Sequence, residues 1–310
     1  VALQPVPAPI IRGVLTFIDI VMKPKLLIIG GWGWSGTSPL IYTLQRNVKY
    51  AHFGYTKVFR YLGRAKFGHP KVESKLSSLY EKVSNNTWEN HNSEIGGHRM
   101  NLTIDLDPIR DFPLDHFTKL VTGERTISKY VEFYHALYDH VVSKGYKSVG
   151  DNYMDRRYKI PQDELEVLKS EFDIKVLFIA RDPVRRAFSN YLTKLNRNHQ
   201  PRELKFYNYI HAVENFRKSY GESNVYITVM EELWEGNGAE GLSKFLGHPI
   251  DNLWKNLYAP DKGHLVKFDK DVPCQAFGQE LLELTPEIYQ HYKNKYQYIY
   301  DLWKDEFGSL

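Results

Sequence analysis

The sequence contains a single cysteine, Cys274, among its 310 residues. One cysteine forms no disulfide within the chain and no cysteine-rich metal site. The protein therefore needs no oxidising compartment, and the predicted location is the cytoplasm.

Long hydrophobic runs are also missing. The apolar stretch at residues 10–22 carries Arg12 and Asp19, and it is shorter than the roughly 20 residues that a membrane helix needs. We therefore interpret residues 1–22 as an N-terminal arm or strand and predict no transmembrane segment in this chain. Because the sequence begins at Val1, a signal or anchor upstream of it stays an open question.

The chain also lacks a large excess of positive or negative charge. The chain has 41 Lys and Arg against 37 Asp and Glu, a formal net charge of +4. Such a balance gives no argument for a nucleic-acid partner. With 42% hydrophobic and 25% charged residues, the composition is that of a globular protein. No internal repeat appears, and we predict a single domain over residues 1–310, in an oligomeric state that the sequence leaves open.

Apolar runs and helical periodicities alternate along the chain. After the apolar start of segment 26–44, strands are predicted at 146–150, 174–180 and 224–229, and helices at 126–144, 161–172, 183–197, 204–220, 238–246 and 285–306. This alternation predicts an α/β domain with a central parallel sheet flanked by helices. Ligands of such sheets bind beyond the carboxyl ends of the strands, so the turns after residues 29 and 180 should be neighbours.

The region 63–115 interrupts this pattern with scattered Gly, Asn, His and Pro. A short helix is predicted within it at 71–83. Loops of this length are often lids or substrate-binding segments, and we interpret the region as an insertion on the substrate side.

Residues 26–44, LLIIGGWGWSGTSPLIYTL, predict a strand, a glycine-rich turn and the start of a helix. Glycines let the backbone approach an anion, and hydroxyl side chains add donors to the N–H groups at the helix start. The glycines are Gly31, Gly33 and Gly36, and the hydroxyl residues are Ser35, Thr37 and Ser38. The turn predicts an anion site at residues 33–38, although a tight turn without a ligand is an alternative.

The glycine spacing argues against an ordinary ATP or GTP site. Gly31 and Gly36 stand as in G-x-x-x-x-G-K-[ST], but Thr37 occupies the position of the lysine that contacts the β- and γ-phosphates. A nucleotide kinase is therefore the less favoured enzyme class.

A second anion motif follows the strand predicted at 174–180 and covers residues 181–191, RDPVRRAFSNY. Arg181 would leave the edge of the sheet as a planar fork of donors, and Ser189, two turns into the next helix, would add a hydroxyl. Two anion motifs suggest a ligand that carries anionic groups at both ends. In the alternative interpretation, Arg181 pairs with Asp182 or with a helix terminus.

Together these segments resemble the PAPS-dependent sulfotransferases, where PAPS is 3′-phosphoadenosine 5′-phosphosulfate. That family holds the 5′-phosphosulfate with [KR]-x-G-T-[ST] and the 3′-phosphate with R-[ND]-P-x-x-R-x-x-S-x-[YF]. The resemblance implies a P-loop-like sulfotransferase fold and transfer of a sulfuryl group to a hydroxyl or amine of a small-molecule or carbohydrate acceptor, without a metal. The nucleotide-binding residues that it implies are Gly33, Trp34, Ser35, Gly36, Thr37, Ser38, Arg181, Ser189, Lys262 and Gly263.

Weaker similarities extend through most of the chain. Residues 225–233, VYITVMEEL, resemble the family's strand ending in E-[DE]-L, and Phe245-Leu246-Gly247 resembles its FLG. Lys262-Gly263 resembles a late loop that closes over the nucleotide. Thr56-Lys57 and Gly150-Asp151 stand where many members have K-E and G-[ED]-K segments lining the acceptor cleft.

Two departures from the family bear on catalysis. Trp34 stands where the 5′-loop normally has Lys or Arg, so the cation at the leaving phosphate would come from Lys57 or Lys262. Val58 stands where a glutamate base often follows Lys57. The candidates for the base are then Asp151, His98 and His52, and the sequence does not choose among them. A binding-only relative that has lost catalysis is the alternative outside the enzymes.

Overall fold

The computed structural model describes residues 23–31, 33, 35–52, 94–95, 98–99, 111–121, 123–124, 126–153, 161–195, 210–235, 237–250 and 284–307. The N-terminal arm predicted at 1–22 and the helix predicted at 71–83 lie outside these residues, as does most of the insertion predicted at 63–115.

Strands and helices alternate through the described residues. The strands are β1 (Lys25–Gly31), β2 (Tyr50–His52), β3 (Glu94–Ile95), β4 (His98–Arg99), β5 (Ser148–Tyr153), β6 (Asp173–Ala180) and β7 (Val225–Val229). The helices are α1 (Thr37–Val48), α2 (Leu114–Val121), α3 (Ile127–Ser143), α4 (Gln162–Glu171), α5 (Pro183–Leu195), α6 (Ile210–Tyr220), α7 (Met230–Glu235), α8 (Ala239–Leu246), α9 (Pro286–Lys295) and α10 (Gln297–Phe307).

Five of the strands form one sheet in the order β2-β5-β1-β6-β7, and every pairing in it is parallel. The predicted fold class, α/β with a central parallel sheet flanked by helices, is confirmed. β1 lies at the centre, with Gly31 paired to Ile179 of β6, and Ala180 of β6 is paired to Val229 of β7. The carboxyl ends of β1, β6 and β7 therefore meet at one edge of the sheet.

Both faces of the sheet are covered because successive side chains of a strand point to opposite sides. Leu26 and Ile28 of β1 belong to a core cluster that includes Leu137 of α3. Leu27 and Ile29 belong to a second cluster on the other face, with buried residues of α1 and α8. Such double coverage produces the near-continuous apolar runs from which the strands were predicted.

The predicted elements agree with the structure to within a few residues. Helix α3 starts after Thr126, whose hydroxyl accepts a hydrogen bond from the Lys129 N–H at 3.4 Å, as an N-cap residue does. The strand predicted at 146–150 is instead β5, and it continues to Tyr153. The C-terminal helical stretch is divided at Tyr296 into α9 and α10.

Four elements have no counterpart among the predictions: α2, α7 and the two antiparallel strands β3 and β4. Within the part of the chain that the structure covers, no helix is both long and apolar enough to span a membrane. The same residues contain no group of three or more His, Cys, Asp or Glu side chains arranged to hold a metal ion.

Candidate anion-binding site

The two predicted anion motifs lie side by side at the carboxyl edge of the sheet. The first follows β1 and the second follows β6, and these strands are paired along the whole length of β1. Neighbouring strands are about 4.8 Å apart, so the two loops begin within a few ångströms of each other. The sequence-based expectation that the two turns are neighbours is therefore confirmed.

Gly36 shapes the first loop. Its φ of 92° and ψ of 21° are left-handed, and it is the N-cap residue of α1. A Cβ atom at this position would lie 2.7 Å from Sδ of Met230, the first residue of α7. Only glycine fits both the backbone angle and the space, so the loop after β1 contacts the element after β7 and spans the end of β6.

The hydroxyl residues of the first loop lie at the start of α1. Ser35 is fully buried at 0% exposure, and Thr37 is 8% exposed. Since Gly36 has no side chain to accept hydrogen bonds, the first turn lacks the capping oxygen that Ser or Asp would supply. Such a helix start is suited to an anion, whose oxygens would take the place of the cap.

Arg181 and Ser189 of the second motif are in direct contact. Nη1 of Arg181 donates a hydrogen bond to Oγ of Ser189 at 2.9 Å, and the Arg181 residue is only 5% exposed. Arg181 directly follows β6, whereas Ser189 lies in the second turn of α5. The two side chains therefore lie together, and their binding of one anion stays a prediction.

Glu231 is the second partner of Arg181. Its Oε1 atom lies 3.9 Å from Nε of Arg181, and the Asp182 N–H donates to both carboxylate oxygens at 3.2 and 3.3 Å. Burial raises the pKa of Glu231 from its usual 4.5 to about 7, the positive charge of Arg181 opposes the rise, and the negative charge of Asp182 adds to it. The carboxyl group therefore changes its charge near neutral pH.

Asp182 connects this loop to the C-terminal helices. Its Oδ1 accepts from the Arg185 N–H at 2.9 Å at the start of α5, and its Oδ2 accepts from the Tyr289 hydroxyl of α9 at 2.8 Å. Burial, followed by the charge of Asp182, raises the pKa of Tyr289. Tyr289 therefore stays protonated and donates its hydrogen bond at every pH of interest. This bond holds the Asp182 carboxylate in place.

Two buried polar atoms follow Ser189 in helix α5. The Oδ1 atom of Asn190 and the hydroxyl of Tyr191 are buried and have no hydrogen-bond partner among the described residues. Buried polar atoms in folded proteins are nearly always paired, so these two are exceptions to the general pattern. Both residues lie in the predicted 3′-phosphate motif.

Asp151, a candidate base, lies inside the sheet layer. The residue is 1% exposed, and its Oδ2 accepts a hydrogen bond from the Tyr134 hydroxyl of α3 at 2.9 Å. Burial raises the pKa values of Tyr134, Tyr130 and Tyr50, and the charge of Asp151 raises them further. These three hydroxyls therefore remain protonated. Its role as a base stays a prediction.

Gly150, beside it, has a packing function. A Cβ atom here would lie 1.7 Å from the Tyr50 hydroxyl oxygen, and that hydroxyl donates to the Leu27 carbonyl at 3.2 Å. The ring of Tyr50 therefore crosses β5 over Gly150.

The remaining predicted site residues are described only in part or not at all. Trp34, Lys57, Lys262 and Gly263 lie outside the described residues, so their predicted roles stay predictions. Gly33 is in a turn, half-buried, and Ser38 is in the first turn of α1. His52 ends β2 and His98 begins β4, and for both only the backbone is described.

Sequence reasoning missed three residues of the site. Glu231 was assigned to a strand motif that supports the fold, and neither Met230 nor Tyr289 was considered. A glutamate directly after a strand of a parallel sheet was the available signal, because such positions face the ligand edge. Tyr289 lies more than 100 positions from Asp182 in the sequence and has no local signal there.

Two solved structures that resemble this chain are sulfotransferases. No protein-family model matches the sequence, and no curated protein matches it significantly. The crystal structure of a sulfotransferase from Alicyclobacillus acidocaldarius has 15% sequence identity and a TM-score of 0.42, with 92% of this chain and 96% of that chain covered. The sulfotransferase domain from the Synechococcus PCC 7002 olefin synthase has 11% identity and a TM-score of 0.38, with 87% and 95% covered.

Proposed function

We propose that this protein is a sulfotransferase that moves the sulfuryl group of PAPS to a hydroxyl or amine acceptor and releases adenosine 3′,5′-bisphosphate. The observation that carries the proposal is the buried contact between Arg181 and Ser189, next to the glycine-rich loop after β1. A guanidinium and a hydroxyl 2.9 Å apart can both donate to one phosphate oxygen cluster.

In this proposal each loop binds one end of the nucleotide. Arg181 and Ser189 bind the 3′-phosphate, and the orphaned polar atoms of Asn190 and Tyr191 in the same helix provide further partners. The start of α1, with Ser35, Gly36, Thr37 and Ser38, binds the 5′-phosphosulfate through backbone N–H groups.

The reaction is an in-line displacement at sulfur. The bond from sulfur to the 5′-phosphate oxygen breaks as a bond to the acceptor oxygen or nitrogen forms, and the acceptor proton passes to a base. Negative charge grows on the leaving phosphate, where a lysine would stabilise it. We assign that charge to Lys57 or Lys262 and the base to Asp151, with His52 and His98 as its alternatives.

Binding without catalysis is the second candidate. Trp34 in the place of the loop cation and Val58 in the place of the usual base favour it. An indole N–H donates a hydrogen bond but carries no charge, so it stabilises a leaving phosphate less than lysine does.

Two measurements test the proposal. Adenosine 3′,5′-bisphosphate should raise the thermal midpoint far more than ATP at equal concentration, since a ligand at 100 times its Kd adds about 2.7 kcal/mol. Release of adenosine 3′,5′-bisphosphate from PAPS should then depend on an added acceptor from a panel of alcohols, phenols, sugars and amines. Selective binding of adenosine 3′,5′-bisphosphate without turnover of any acceptor in the panel supports the binding-only candidate. Equal stabilisation by adenosine 3′,5′-bisphosphate and ATP contradicts both the sulfotransferase and the binding-only candidate.

A further inference from the structure

A second cluster of basic groups lies at the opposite edge of the sheet. Lys25, Ser148 and Asp173 are the first residues of β1, β5 and β6, and they line a cavity together with Lys147, Lys175 and His248. β1 rises about 3.3 Å per residue, so roughly 20 Å separates this cavity from the loop after Gly31. We call it the basic pocket; it is distinct from the candidate anion-binding site.

Positive charge dominates the basic pocket. Its lining carries three lysines against one carboxylate, Asp173. Burial lowers the pKa of His248, and the charges of Lys147, Lys25 and Lys175 lower it further. All three ammonium groups are therefore close enough to act on one imidazole, and that imidazole is neutral at neutral pH.

The hydrogen bonds in the pocket leave donors for a ligand. Nζ of Lys147 lies 3.3 Å from Nδ1 of His248, and an ammonium has only donors, so Nδ1 accepts and Nε2 carries the hydrogen. Nζ of Lys175 donates to the Phe245 carbonyl at 2.5 Å and lies 4.9 Å from the centre of the Phe245 ring. One of its three hydrogens is used there, and the contact holds the ammonium in place.

Support of a helix end explains only part of this cluster. Phe245 lies in the last turn of α8, and a lysine bound to such a carbonyl is a common stabilising contact. This contact explains the position of Lys175 but not those of Lys25 and Lys147. The ammonium group of Lys147 contacts His248 instead. Like charges gathered around one cavity repel each other unless an anion lies between them.

The size and the lining of the cavity limit the ligand. Its volume is about 70 Å³, and at roughly 10–15 Å³ per water-sized group it holds about five such groups, the number of heavy atoms in phosphate or sulfate. Leu26, Leu27 and Leu246 line it beside the charges. Lys25 and Lys147 are exposed, so a ligand reaches their ammonium groups directly from solvent.

We propose that the basic pocket binds a tetrahedral oxyanion, phosphate or sulfate, either free or as the end group of a small organic molecule. Lys25, Lys147 and Lys175 supply the charge, and Nε2–H of His248 supplies a directed hydrogen bond. This site does not depend on the function proposed above.

Titration of the His248 imidazole signals by NMR tests the proposal directly. Phosphate, sulfate, phenyl phosphate and phenyl sulfate are added separately, each against a chloride control of equal ionic strength. We expect a saturable shift and a rise of the His248 pKa, since a bound dianion stabilises the imidazolium. If a phenyl ester binds more tightly than the corresponding free anion, the ligand is the end group of an organic molecule. If the free anion binds more tightly, the ligand is a free ion.

Matched variants separate the pocket from general attraction by the protein's charge. Lys25→Gln and Lys147→Gln should each weaken binding about tenfold, the scale for losing a hydrogen bond to a charged group. Lys144→Gln removes the same charge from an exposed turn outside the cavity and should leave the affinity unchanged, as should Arg181→Ala at the other edge of the sheet. No saturable shift up to about 10 mM, ten times a millimolar Kd, would overturn the proposal, as would equal effects of Lys144→Gln and Lys147→Gln.

Discussion

Nε of Arg181 lies 3.9 Å from Oε1 of Glu231, and both residues are buried. The guanidinium that the proposed function assigns to a phosphate thus has a carboxylate beside it already. The pKa of that carboxyl group is about 7, because burial disfavours its charge more than Arg181 favours it. The state of Glu231 therefore sets the charge of this cluster.

Glu231 should make the protein less stable as the pH rises from about 4.5 to 7. In that window the unfolded chain has lost the proton and the folded chain keeps it, so unfolding becomes easier with increasing pH. At about 1.4 kcal/mol per tenfold change in the dissociation constant, the loss is of the order of 3 kcal/mol. Urea unfolding of wild type and Glu231→Gln from pH 4 to 8 measures it, and the variant should lack this loss.

Glu232→Gln, a change at the next position, is the control and should follow the wild-type profile. Parallel profiles for wild type and Glu231→Gln would show that Glu231 titrates near its ordinary value.

Arg181→Ala should weaken binding of adenosine 3′,5′-bisphosphate by roughly 1.5–3 kcal/mol, the range for hydrogen bonds to charged groups. Arg185→Ala removes the same charge from an exposed position four residues later and should cost much less. Calorimetry gives both values. Because Arg181→Ala leaves the buried Glu231 carboxyl group without its cation, Arg181→Ala with Glu231→Gln serves as a second variant that removes both groups. Equal losses in the Arg181 and Arg185 variants would remove Arg181 from the site.

Gly36→Ala should be more destabilising than Gly247→Ala. Both glycines are left-handed, with φ values of 92° and 73°, so alanine costs each about 1–2 kcal/mol of backbone strain. Only at Gly36 would the new Cβ also meet a side chain, Met230, whereas nothing lies within 4 Å at Gly247. The difference in unfolding free energy should be about 1–3 kcal/mol, the scale for overpacking. Equal losses would mean that the Met230 side chain moves aside freely.

Gly150→Ala should destabilise the protein by more than about 3 kcal/mol because Tyr50 crosses directly over it. Tyr50→Ala removes the obstructing ring, so adding Gly150→Ala to that variant should cost much less. The coupling free energy from wild type, the two single variants and the double variant measures the contact between Tyr50 and Gly150. Additive losses would show that Gly150 is required for another reason.

Asp151→Asn and Tyr134→Phe distinguish a base from a structural carboxylate. Tyr134→Phe removes the donor that Asp151 accepts and should cost roughly 1.5–3 kcal/mol of stability. If Asp151 is the base, Asp151→Asn lowers single-turnover sulfuryl transfer by about 10²-fold or more with unchanged nucleotide affinity. Loss of stability with normal transfer would assign the base to another residue.

The sequence predicted the parts of the fold that depend on periodicity. The buried strands β1 and β6 appear as apolar runs, and α3 appears through its spaced Tyr and Leu residues. Short elements such as α7, with six residues, carry too little pattern to be recognised. The sequence predicted that Arg181 and Ser189 contact one anion, because both lie in one local motif, but it did not predict their contact with each other. The contacts of Arg181 with Glu231 and of Asp182 with Tyr289 were not predicted either, because they join segments brought together only by the folded sheet.

The position of β2 at the edge of the sheet has a consequence for how such a protein can diversify. The chain that follows His52 leaves from an outer strand, whereas the anion loops follow the inner strands β1 and β6. Residues added or lost after His52 change no pairing between β1, β6 and β7. Evolution can therefore vary the length of that segment while the geometry of Gly36, Arg181 and Glu231 is inherited intact.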